Sequence, residues 1–330
     1  MKNLFTVLGA GVAGLCVATE LTRRGAAVQL VDPAGPAGQH ACSWWAGGML
    51  APDCEGETAE EPVVRLGREA EGWWQAAGVP VTRRGSLVLA PGRDRAELDR
   101  FARRTENHRW LDRDELGRAE PALGPRFSRA LHFSAESHIC PRDALDILTR
   151  SLASQGVPVQ ADAPRGQIID CRGLAARDRL PDLRGVRGEM AVLRAPEVQI
   201  SRPVRLLHPR HPIYIVPRGD GVYMLGATQL ESENRGPATL RSVVELLNTA
   251  YSLDPAFAEA AVLELGADAR PAFPDNLPRI RRHEDRIFVN GLFRHGFLLA
   301  PAMARMVADL VLEGKIPEVM DEDHGEWHPA

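Results

Sequence analysis

The chain has 330 residues, enough for about two domains of ordinary size. It is 44% hydrophobic and 25% charged, which excludes a disordered, collagenous or disulfide-dense protein. Forty basic residues against 44 acidic ones give a formal net charge of −4, so no excess positive charge draws the chain onto nucleic acid or an anionic membrane.

The apolar run Leu4–Leu8 predicts a short buried strand. Lys2 followed by apolar residues up to Ala18 imitates a signal peptide, but the glycines Gly9, Gly11 and Gly14 interrupt it at fixed offsets. A helix follows, with Leu15, Val17, Ala18 and Leu21 apolar, and ends at Gly25. Val28–Val31 is a second strand, closed by Asp32-Pro33. Together these make a strand–loop–helix–strand unit of about 30 residues, the start of a parallel α/β sheet. Glu60–Ala77 reads as one helix with Trp73 and Trp74 in the core, Arg84–Ala90 as a strand, and Arg95–Thr105 as a helix. Pro141–Gln155 is a helix with Pro in its first turn and Gly156 behind it. Gln167–Cys171 is a strand. Met190–Met224 and its surroundings read as strands broken by Pro and Gly, including Ile213–Val216 and Val222–Leu225. Helices are expected at Leu240–Ala250 and Pro255–Ala261, a strand at Arg286–Asn290, and a last helix from Leu298 to Glu313, stopped by Gly314.

α/β grammar at both ends with β-rich material between predicts a Rossmann-like α/β domain assembled from separated segments, with a β-rich α+β domain inserted. The expected boundaries are 1–80, 138–185 and 268–330 for the first and 81–137 and 186–267 for the second.

Gly9-x-Gly11-x-x-Gly14 lies between a strand and a helix, as dinucleotide binding requires. The first glycine allows a tight turn, the second lets backbone approach a pyrophosphate, and the third lets the helix pack close. Asp32 stands where a carboxylate accepts from a ribose hydroxyl. The motif alone leaves FAD and NAD(P) open. Ser43 and the paired glycines Gly47 and Gly48 form a second region where backbone approaches a flat ring or phosphate. Two of the 40 basic residues are Lys2 and Lys315, so 38 are arginine, a compositional bias that makes any single arginine unremarkable. Arg270 and Arg294 stand out by their place in Gly- and Pro-bounded segments read as loops, where α/β sheets put ligands and a guanidinium fork grips a carboxylate. The five cysteines, Cys16, Cys42, Cys54, Cys140 and Cys171, show no C-x-x-C pair. They read as free thiols of a reducing cytoplasm. No metal site is expected, His208 and His211 having no acidic or His partners at ligand spacing.

The glycine fingerprint, Ser43–Pro52 (SWWAGGMLAP), Tyr214–Arg218 (YIVPR), Gly226–Thr228 (GAT), Arg270–Pro278 (RPAFPDNLP) and Gly291–Pro301 (GLFRHGFLLAP) occur in one order. In that order they resemble the FAD-dependent glycine oxidases of thiamine biosynthesis, within the D-amino-acid oxidase and sarcosine oxidase family. The resemblance spans residue 3 to about 315.

What it implies is non-covalent FAD lying between the two domains. The contacts implied are Val12 and Ala13 of the glycine loop, Asp32, Pro33, Cys42, Ser43, Gly47, Gly48 and Met49, with Leu292, Phe293, Arg294, His295, Gly296, Phe297 and Leu298 wrapping the flavin. Arg270, Tyr214 and Arg294 are implied at the substrate carboxylate. The implied reaction is oxidation of glycine to an imine or glyoxylate with reduction of O2 to H2O2, serving thiazole synthesis by hand-off to a thiazole synthase. A homo-oligomer is compatible with it. Cys140 reads as an incidental thiol rather than a covalent flavin link. Gln229 stands where relatives often carry methionine, and the 159–170 segment is shorter than the family's. The rival readings are a sarcosine or D-amino-acid oxidase, a quinone-linked dehydrogenase, a non-catalytic FAD-binding partner, and a nicotinamide dehydrogenase.

Overall fold

A computed structural model describes residues 4–208 and 212–322. The expected βαβ start is present. Strand β1 (Leu4–Leu8) leads through the glycine loop into helix α1 (Val12–Arg23) and then strand β2 (Ala27–Val31), which lies parallel to β1. They sit in a seven-stranded sheet whose other strands come from residues 159–160, 167–170, 279–283, 286–290 and 320–322. Residues far apart in sequence therefore meet beside β1.

A second, nine-stranded sheet is mostly antiparallel. Five of its strands are β3 (Arg184–Arg194), β4 (Val204–Leu206), β5 (Ile213–Gly219), β6 (Val222–Gly226) and β7 (Ala261–Ala272), the last pairing with β3 alone. Helix α2 (Leu240–Leu253) covers its outer face, where Leu246, Ala250 and Leu253 pack on Ala191, Leu193 and Leu225. The other face, carrying Met190, Met224 and Tyr214, turns inward toward Trp45 of the first half. Strand β3 begins before the expected boundary at 186, and β7 runs across the one at 268.

Three local expectations change. Glu60–Ala77 is two helices, Glu61–Gly67 and Ala70–Ala76, with the break at Arg68-Glu69. Gly67 packs so closely on the last helix that a Cβ there would lie 2.8 Å from Leu298 Cγ. Pro255–Ala261 holds only a short 3-10 turn, Pro255–Glu259, before β7 begins. The third change bears on function: Arg270 is in strand β7, not in a loop. Alternation along β7 is masked because its inward face is charged, with Glu264 on Arg142 at 2.8 Å and Asp268 on Arg235 at 2.5 Å.

The last helix, α3 (Gly296–Glu313), packs along α1 and ends at Gly314 in the left-handed conformation, φ 71°. Pro301 inside it cannot donate to Phe297, one turn back. The orphaned carbonyl is taken by the fully buried Trp74, whose Nε1 donates to Phe297 O at 2.9 Å. One tryptophan thus repairs the helix that opens onto the cavity.

Candidate active site

Between the two inward faces lies a continuous cavity of about 1320 Å³. Pockets for drug-sized ligands measure roughly 300–1,000 Å³, so the space holds far more than a small amino acid.

At one end the wall is backbone. A Cβ on Gly14 would lie 1.8 Å from Gly9 O, so helix and loop touch there as only glycine permits. Gly9, Gly11, Val12 and Ala13 line the cavity, whereas Gly14 packs behind the wall. Gly14 thus has the packing role expected of the motif's third glycine and sets the loop's approach. Asp32 follows β2 directly and accepts from Ala10 N at 2.8 Å and Ala34 N at 3.0 Å. A carboxylate has about four acceptor sites, so these bonds aim it while leaving room for a ribose hydroxyl. Ser43 Oγ accepts from Val12 N at 3.0 Å and ties the second glycine region to the start of α1. Pro33, Cys42, Ser43, Gly47, Gly48 and Met49 line the middle, and Leu292, Phe293, Arg294, His295, Gly296, Phe297 and Leu298 line the opposite side. Phe293 takes φ 50°, uncommon for a non-glycine residue. Burial pushes the Cys42 thiol up to about 12, so it stays neutral. Cys140 is not part of this lining.

The other end is built of side chains on the second sheet. Arg205, Tyr214, Gly226 and Met190 are successive register partners across β4, β5, β6 and β3, and so share one face. Tyr214 leans over β6: a Cβ on Gly226 would sit 2.8 Å from its hydroxyl oxygen. Arg270 reaches in from β7 across β3, where a Cβ on Gly188 would sit 2.1 Å from its Nη2, and Nη1 donates to Thr228 O at 3.3 Å. The phenol and the guanidinium therefore converge near the end of β6. Among the described residues, Arg270 is the cavity arginine without a carboxylate partner.

Arg294 does not join them. Its Nη2 lies 2.8 Å from Glu55 Oε2 and donates to Thr58 Oγ1 at 2.5 Å. The same Oε2 is 2.9 Å from His295 Nε2, and Glu55 Oε1 accepts from Arg205. Burial would raise the Glu55 carboxyl, but Arg294 first, then Arg205 and His295, hold it well below the usual range. Behind it Glu136, 1% exposed, accepts from Cys54 N at 2.7 Å and from Ser86. Burial pushes Glu136 up to about 7.

A family model described as DAO, FAD dependent oxidoreductase, matches residues 5–310. The chain belongs to this family. FAD is its cofactor, and the glycine-lined wall, the aimed Asp32 and the cavity volume fit an extended dinucleotide. This FAD-dependent oxidoreductase is 55% identical over 314 residues to a protein of Rhizobium etli named as a thiamine biosynthesis oxidoreductase, ThiO, covering 93% of this chain and 95% of that one. It is 28% identical to a glycine oxidase of Pseudomonas aeruginosa, covering 100% and 99% of the two chains. Its fold matches the crystal structure of a Bacillus cereus glycine oxidase with TM-score 0.79 at 22% identity, over 95% and 96% of the chains.

Sequence reasoning missed several lining residues of the oxidoreductase. Glu55, Arg205, Gly188 and Thr228 are among them, as are Asp162–Pro164 and Cys171–Gly173. The last two groups come from the shortened segment and its following strand, and they close the Asp32 end of the cavity. Glu55 stands six residues beyond Met49, so its nearness to the flavin segment was the one available signal. His211 lies outside the described residues. Among the described residues no group of three His, Cys, Asp or Glu side chains could hold a metal ion, and no helix is long and apolar enough to cross a membrane.

Proposed function

We propose that this oxidoreductase oxidises glycine at its C–N bond and passes the electrons to O2, in the service of thiazole synthesis. FAD, when bound, supplies the two-electron redox chemistry. The observation that carries the site assignment is Arg270, a cavity guanidinium with no acidic partner beside the Tyr214 hydroxyl. Arg270 takes the substrate carboxylate in a two-pronged hydrogen bond, and Tyr214 donates a third. The carboxylate fixed in this way leaves the Cα–H bond facing the flavin space. Such positioning contributes on the order of 7–11 kcal/mol toward lowering a barrier. Glu55 is not the base: Arg294 and Arg205 hold its carboxyl well below the usual range, which makes it a poor proton acceptor. The neutral amine needs none, since loss of a hydride and an N–H proton leaves the imine. O2 takes up both electrons and two protons as H2O2. Water then converts the imine to glyoxylate and ammonia, or the imine is handed to a thiazole synthase.

The FAD half comprises residues 1–80, 138–185 and 268–330, and the substrate half 81–137 and 186–267, with β7 serving both. The protein acts in the cytoplasm, in keeping with its five free cysteines.

The test is the visible spectrum of the purified holoenzyme, recorded without oxygen before and after adding glycine. Bands that bleach with glycine and return on admitting air support the reading. Bands that persist with glycine and bleach with sarcosine or a D-amino acid reject glycine as substrate.

A further inference from the structure

The substrate end of the cavity carries three guanidinium groups: Arg270, Arg205 and Arg294. One carboxylate, Glu55, answers two of them. Arg205 stands next to Tyr214 in register, and Tyr214 next to Gly226, over which its hydroxyl lies. Adjacent strands are about 4.8 Å apart, so Arg205 and Tyr214 project from neighbouring positions on the same wall of the cavity. Left open, the Arg205 locus would be a second and more strongly charged place for a substrate carboxylate. A glycine seated there would turn its Cα away from the place that Arg270 and Tyr214 set for it.

Glu55 closes that locus. Its Oε1 is on Arg205, its Oε2 on Arg294 and His295, and its side chain is 9% exposed. Resting on the assignment of Arg270 and Tyr214 to the substrate carboxylate, we infer that Glu55 is a specificity-determining residue. It fills the second anion locus with its own carboxylate, so that a substrate acid group has one place to bind. Glu55 touches neither substrate nor reacting atoms, and is a positioning residue. The guanidiniums it neutralises belong to two different sheets' loops and strands, and holding Arg294 also anchors the start of α3.

Ligand binding tests this without turnover, so failure of glycine as substrate does not confuse the result. Holoenzyme is titrated with glutarate, a five-carbon diacid, and with its half-amide glutaramate, which keeps the length and loses one charge. Perturbation of the flavin spectrum gives each Kd. The wild type should bind the two within about threefold of each other, and Glu55→Gln should favour glutarate by at least about tenfold. Glycine should gain a second, unproductive binding mode in the variant and show inhibition at high concentration. If Glu55→Gln yields no holoenzyme, the double variant E55Q/R205Q removes the pair together and leaves Arg294 without a carboxylate. It should then still favour glutarate, by about threefold more than the wild type does. A wild type that already prefers glutarate tenfold, or a ratio unchanged in the variant that folds, overturns the inference. A purely structural Glu55 would lower stability and leave that ratio where it was.

Discussion

The two walls of the cavity work by opposite means. The FAD wall is made of backbone that comes close because side chains are missing, at Gly9, Gly11 and Gly14. The substrate wall is made of long polar side chains: Tyr214 and Arg270, laid over Gly226 and Gly188 on neighbouring strands, with Arg205 beside Tyr214 in register. The first wall depends on local sequence alone, since strand, loop and helix are consecutive. The second depends on register across five strands, whose residues span 184–272. A wall of backbone fails outright when one atom is added, whereas a wall of side chains fails by degrees.

The largest expected effect is on the backbone wall. Gly14→Ala places a methyl 1.8 Å from Gly9 O, so the loop must move. The variant should purify colourless, read as the loss of flavin absorbance relative to protein absorbance. A yellow variant with normal flavin content would contradict the distinction between the walls. On the substrate wall, Gly188→Ala pushes on Arg270 and Gly226→Ala pushes on Tyr214. Both should retain flavin and lose about 10²-fold in kcat/KM for glycine, as a misplacement of about 1 Å does. Loss of flavin from either would show that the walls are not separable.

The smallest expected effect concerns Glu136, which braces the segment carrying Glu55. Its carboxyl titrates at about 7 in the fold, against an ordinary value of about 4.3 when unfolded. The native state binds this proton more tightly. The stability it contributes is therefore full below the unfolded value and lost as pH rises through about 7. Glu136→Gln removes that loss, and its Tm relative to wild type should rise by a few degrees between about pH 6 and pH 8. A Tm difference independent of pH would mean that Glu136 carries no proton in the fold.

The same contrast explains what could be read from the sequence. The βαβ start, the motif glycines, Asp32 and the Leu292–Leu298 segment are legible because each acts within a short stretch. Tyr214 and Arg270 are legible by resemblance. The physical reason they meet, two side chains leaning over Gly226 and Gly188, exists only once β5, β6, β3 and β7 are in register. Arg294 reads as a third carboxylate ligand because its segment is the right one. Nothing local says that Glu55, 239 positions earlier in the numbering, has already taken it. Strand β7 was missed because Glu264, Asp268 and Arg270 look like surface residues until Arg142 and Arg235 are seen opposite the first two.

The assignment of Arg270 is tested most directly by its replacement. The rate at which glycine bleaches the flavin without oxygen should be measured for Arg270→Met and for the wild type. Flavin content and spectrum should be unchanged, while bleaching at a fixed low glycine concentration slows by about 10²-fold or more. Bleaching at the wild-type rate would show that the carboxylate is held elsewhere and that Arg270 does not orient the substrate.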